Sequence, residues 1–191
     1  MRCSNLTCLL VVAAAFLRID AVLAQPKADC SYFLEHKFSG KYVGTAATED
    51  GAFVNLWGPI PEGGKDGYTF KLVASGKEGF YYLIHKLSGK YLCTGNKKNG
   101  ARIHLWGPVP NGEEDRYKFG LVDAGEGSYN LSHKYKFGLV DAGERYYNLL
   151  HKYSGKFVCT GDQTNGGIVH TYGPIPQKDE DRYKFRFVPA D

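Results

Sequence analysis

The chain has 191 residues, 43% of them hydrophobic and 23% charged, with 24 Lys and Arg against 20 Asp and Glu for a formal charge of +4. That weak positive bias, interspersed along the sequence, implies neither nucleic acid nor an acidic surface as partner. After the N-terminal segment no apolar run is long enough to insert in a membrane.

The first element is a short one. Arg2, an apolar run from Leu6 to Leu17 and the small-residue exit Val22-Leu23-Ala24 have the pattern of a secretory signal over residues 1–24, with cleavage before Gln25. The expectation is a secreted, extracellular protein with one domain over 25–191. Cys3 and Cys8 leave with the signal, so Cys30, Cys93 and Cys159 remain, an odd number that cannot all pair internally. One bridge from Cys30, an intermolecular bond with oligomerisation, and three reduced thiols all stay open.

From there on the chain repeats itself. His36-Lys37-Phe38-Ser39-Gly40-Lys41 recurs as His85-Lys86-Leu87-Ser88-Gly89-Lys90 and as His151-Lys152-Tyr153-Ser154-Gly155-Lys156. Fourteen residues after each His stand Asp50-Gly51, Asn99-Gly100 and Asn165-Gly166, and seven further on come Trp57, Trp106 and Tyr172. Each aromatic opens a Gly-Pro loop and is followed nine residues later by Asp66, Asp115 or Asp181, with Tyr68, Tyr117 or Tyr183 two beyond. The aromatics are 49 and then 66 residues apart, and the excess is visible: 117–134 and 135–152 are a tandem near-copy of 18 residues. The period is therefore about 48, with repeats at about 31–79, 80–122 and 141–191 and a surplus loop at about 123–140. The second copy, Tyr146-Tyr147-Asn148-Leu149-Leu150, matches Phe80-Tyr81-Tyr82-Leu83-Ile84 better and is expected to open the third repeat. Asn130-Leu131-Ser132, the sequon beyond the signal, falls in the surplus.

Within a repeat, short runs rich in Tyr, Phe, Val, Ile and Leu alternate with Gly, Pro, Asn and Asp, an all-β pattern. The second repeat predicts strands near 80–85, 90–93, 102–106 and 117–122, so four per repeat and twelve in all. Ser-Gly and Asn-Gly fit tight turns, and the prolines after each third run end pairing. Three four-stranded units of this length predict a β-trefoil, a closed barrel with three capping hairpins.

The segment Asn99-Gly100-Ala101-Arg102-Ile103-His104-Leu105-Trp106 resembles the ricin-type lectin family, whose repeats carry Asn-Gly, a β-branched residue and a Gln-x-Trp triplet. The triplets here are Asn55-Leu56-Trp57, His104-Leu105-Trp106 and His170-Thr171-Tyr172, and the resemblance spans essentially all of 31–191. It implies a trefoil that binds glycans of cell surfaces or glycoproteins, with no cofactor. The family's sugar-binding Asp, however, is replaced by Gly44, Cys93 and Cys159, and its disulfide within each repeat has no counterpart.

A saccharide needs a flat apolar face for its C–H groups and fixed partners for its hydroxyls. Trp57, Trp106 and Tyr172 offer the face or, like the family's Trp, fill the core. Asn55, His104 and His170, with Asp66, Asp115 and Asp181, are the candidate polar contacts, or else bond loops and turns. His36, His85 and His151 sit at turn entrances and read as structural; threefold symmetry scatters them too far to form a metal cluster. Glu113-Glu114-Asp115 and Asp179-Glu180-Asp181 read as solvated loop charge. The chain has no Gly-x-Ser-x-Gly, His-Glu-x-x-His or phosphate loop, and no enzyme is predicted. The rivals to a multivalent lectin are a protein-binding trefoil, such as a protease inhibitor acting through the surplus loop, and an extracellular structural protein.

Overall fold

The computed structural model describes residues 25–124 and 145–190. The signal at 1–24, the Asn130 sequon and nearly all of the surplus at 123–140 lie outside the described residues. The first repeat supplies β1 (Ser31–His36), β2 (Lys41–Gly44), β3 (Asn55–Trp57) and β4 (Thr69–Ala74). The second supplies β5 (Phe80–His85), β6 (Tyr91–Cys93), β7 (Ala101–Arg102), β8 (His104–Trp106) and β9 (Phe119–Asp123). The third supplies β10 (Tyr147–His151), β11 (Lys156–Cys159), β12 (Gly167–Ile168), β13 (His170–Tyr172) and β14 (Lys184–Pro189).

Antiparallel pairing runs β1 to β4 to β5 to β9 to β10 to β14 and back to β1, which closes a six-stranded barrel without free edges. The hairpins β2–β3, β6–β8 and β11–β13 cap one end, giving the trefoil. The first of the tandem copies provides β9 and the second β10, paired with Leu121 opposite Leu149.

There are two more strands than the twelve expected among the described residues, because the third run of the second and third repeats is cut at Ile103 and Val169. These residues turn out of the ladder toward the centre of the cap, where Ile103 N–H donates to the Val169 carbonyl (3.0 Å) and Val54 N–H to that of Ile103 (3.3 Å). All three side chains are buried there. Alternation along β1 points Leu34 and His36 inward, and Leu72, Leu83, Phe119, Leu149 and Phe185 from the other barrel strands meet them. Each such side chain contributes roughly 1.5–3 kcal/mol relative to exposure.

The repeated polar phrase joins one repeat to the next. His36, His85 and His151 are fully buried, with Nε2 facing the carbonyls of Arg182 (3.1 Å), Gly67 (3.0 Å) and Arg116 (2.9 Å) in the preceding repeat. A carbonyl only accepts, so Nε2 carries the proton, and Nδ1 accepts from Ser39, Ser88 or Ser154 at 2.9 Å. Each serine oxygen accepts in turn from the backbone N–H of Lys41, Lys90 or Lys156 (3.3 Å), across a turn whose glycine stands at φ +63 to +68. The final lysine reaches a neighbour as well: Lys41 donates to Asn165 (2.8 Å) and Lys90 to Asp50 (2.6 Å). The structural reading of the three histidines holds.

Candidate functional site

Trp57, Trp106 and Tyr172 are 38%, 42% and 42% exposed, so they do not fill the core. Strand alternation requires this: β3, β8 and β13 bury Leu56, Leu105 and Thr171, and the residues on either side of each share the outer face. Tyr117 and Tyr183, two residues past the aspartates, are buried.

The structure brings each candidate histidine to its aromatic. The His104 and Trp106 rings meet edge to face at 6.2 Å and those of His170 and Tyr172 at 6.4 Å. His104 Nδ1 lies 3.4 Å from the Arg102 carbonyl and His170 Nδ1 3.4 Å from that of Ile168, so Nδ1–H donates inward and Nε2 is left as an acceptor. Burial lowers both imidazole pKa values and keeps the rings neutral at pH 7. Asn55 differs: its Oδ1 accepts from Arg102 Nη2 at 3.2 Å, and that guanidinium lies 3.6 Å over the Phe53 ring.

The three aspartates are drawn elsewhere, each to a lysine of the following repeat. Asp66 pairs with Lys86 (3.0 Å), Asp115 with Lys152, and Asp181 with Lys37 (3.3 Å). The bond from Lys152 holds Asp115 below the usual carboxylate range. Burial opposes ionisation of Asp181, but bonds from Lys184 and Lys37 outweigh it and lower its pKa. Each of these half-exposed ion pairs thus runs from one repeat to the next.

The polar partners beside the aromatics are residues the sequence reading passed over. Arg182 Nε lies 3.5 Å from Asp179, and Arg116 pairs with Glu113, so one carboxylate of each solvated acidic run is also tied to an arginine. A shallow depression of about 300 Å³ in the third repeat is lined by Thr160, His170, Tyr172, Pro176, Asp179 and Arg182. The available signal was the run Asp-Arg-Tyr at 115–117 and 181–183 against Asp-Gly-Tyr at 66–68.

Cys93 and Cys159 are buried at the positions where the resemblance expects a sugar-binding Asp. Burial pushes both thiols up to about 12, so neither offers an anion. At the third such position a Cβ on Gly44 would stand 2.4 Å from Tyr68 Cδ1 and 2.6 Å from the Gly67 carbonyl. All three cysteines, Cys30 included, are free. Among the described residues no three His, Cys, Asp or Glu side chains are grouped to hold a metal.

No protein-family model matches the chain, and no curated protein does. Solved structures do match. The designed threefold-symmetric protein ThreeFoil is 26% identical, with a TM-score of 0.64 over 83% of this chain and 97% of that one. The ricin B-like lectin of Macrolepiota procera, solved in complex with lactose, is 13% identical, with a TM-score of 0.59 over 87% of this chain and 99% of its own. An exo-β-1,3-galactanase from Clostridium thermocellum is 19% identical (TM-score 0.63) over 87% of this chain, which spans 31% of that enzyme. The fold is thus the β-trefoil that ricin B-like lectins share.

Proposed function

We propose that the chain is a secreted, non-enzymatic protein that binds carbohydrate on cell surfaces or glycoproteins through more than one repeat. The observation that carries this is the exposed aromatic ring set edge to face with a neutral imidazole, at His104–Trp106 and again at His170–Tyr172, where the pair lines an open depression. The ring covers the C–H face of a sugar, the imidazole Nε2 accepts from a hydroxyl, and the neighbouring Arg and carboxylate donate and accept in turn. Such sites are weak singly and gain from multivalency on a glycan-bearing surface.

The lectin complex with lactose supports the reading, since it places a sugar on the same fold. The recurring aspartates do not read as general acids for glycoside hydrolysis. Asp115 and Asp181, held by lysines, have lowered pKa values, whereas a general acid needs a raised one.

The test is a glycan array probed with the secreted chain and with His104→Ala, His170→Ala and the double variant. Each single change is expected to lower apparent affinity about tenfold, as the loss of one bond in a desolvated site does, and the double change to abolish binding. A folded protein that binds no glycan would overturn the proposal.

A further inference from the structure

The three repeats are not equivalent at the site, and they differ at several positions together. The second and third repeats carry His104 and His170, Glu113 and Asp179, and Arg116 and Arg182; the first carries Asn55, Gly64 and Gly67 in those places. The turn of the following repeat presents Phe38 beside the third-repeat site, and the residues equivalent to Phe38 in sequence are Tyr153 for the second site and Leu87 for the first. The Arg182 guanidinium lies 5.3 Å over the Phe38 ring, and Gln163 of the third repeat donates to the Phe38 carbonyl at 3.1 Å. In the second repeat Lys97, the counterpart of Gln163, lies 4.3 Å over the Tyr153 ring.

The space beside Arg182 is double. Besides the depression holding His170 and Tyr172, a second of about 260 Å³ is lined by Phe38, Gln177, Lys178, Asp179 and Arg182. The two share Asp179 and Arg182, which form the wall between them. The first repeat has no such wall. The Tyr68 ring and the Gly67 backbone pack against Gly44 so closely that no side chain fits there, and a Cβ on Gly67 would stand 2.8 Å from the Thr45 carbonyl.

We infer that binding is confined to the second and third repeats, and that each site takes two consecutive units of an oligosaccharide. One unit lies against Trp106 or Tyr172 with its histidine. The next lies against Tyr153 or Phe38 of the neighbouring repeat, and Arg116 or Arg182 donates to both. This rests on the reading of the chain as a glycan-binding protein, and it makes the second subsite a property of the seam between repeats.

The experiment screens the full chain against monosaccharides and the short oligosaccharides that contain them, then titrates the strongest oligosaccharide by calorimetry. Two sites per chain are expected, with the oligosaccharide bound more tightly than its parts. Arg116→Ala and Arg182→Ala each leave one site and together leave none, while Leu87→Ala leaves both. Phe38→Ala, made in the Arg116→Ala background so that the third-repeat site is read alone, weakens the oligosaccharide about tenfold and leaves the monosaccharide unchanged. Three sites, or equal loss of mono- and oligosaccharide on Phe38→Ala, would overturn the inference while leaving the chain a lectin. A folded chain that binds no glycan overturns the functional reading itself.

Discussion

Acid should unfold this protein through its three buried histidines before its carboxylates titrate. Burial lowers the pKa of His36 and His151 to about 4, and lowers that of His85 as well, against about 6.5 in an unfolded chain. A base whose folded pKa is depressed binds its proton more readily when unfolded. The stability it confers is therefore complete above pH 6.5 and is lost as pH falls toward 4. Over that window His36 and His151 each remove about 3 kcal/mol, at ~1.4 kcal/mol per pH unit. Together that is comparable to the whole stability of a domain, about 5–15 kcal/mol. His85 adds to the loss with the same sign, as do the partly buried His104 and His170. Asp50, Asp115 and Asp181 have lowered pKa values, and their contribution disappears only at lower pH. The assay is urea unfolding followed by far-UV circular dichroism at steps from pH 7.5 to 4.5. The free energy should begin to fall near pH 6.5 and reach a slope of more than one proton, and His151→Gln should reduce the slope while lowering stability at pH 7. A flat profile between pH 7 and 5, or a slope that His151→Gln leaves intact, would refute the argument.

Two further outcomes follow from the packing. Ile103→Ala removes a fully buried side chain where the three hairpins meet, and should lower stability by about 2–4 kcal/mol in the same urea titration at pH 7.5. A maleimide should modify the exposed Cys30 rapidly in the native protein and reach the buried Cys93 and Cys159 only on addition of denaturant. Modification of all three at one rate in the native state would show that the cap is more open than its burial implies.

The barrel was legible because its determinants are local. The Ser-Gly turn, the β-branched and aromatic runs and the prolines after the third run each act within a few residues, and threefold recurrence multiplies a weak signal. The break at Ile103 was not legible, because it comes from bonds to Val169 and Val54 of other repeats. The exposure of Trp57 and Trp106 could have been read, since the alternation that faces His104 outward faces Trp106 outward too. Analogy to the family's buried triplet Trp obscured it. The lysine partners of the aspartates were hidden for a subtler reason. Aligning repeats compares equivalent positions, whereas Asp66 to Lys86, Asp115 to Lys152 and Asp181 to Lys37 all run from one repeat to the next.

That offset suggests how a quasi-symmetric chain divides its labour. A polar residue that recurs in all three repeats with fixed spacing meets a constraint that also recurs, and in this barrel the recurring constraint is the seam between neighbours. The buried histidines, the turn serines and the three aspartates all lie on it. A ligand imposes no such constraint, because one site can bind while another does not. Residues that set repeats apart, such as Arg116 and Arg182 against Gly67, are therefore better guides to recognition than residues the repeats share. Within the candidate site the sequence signal was one of difference, and a search for recurrence passes over it.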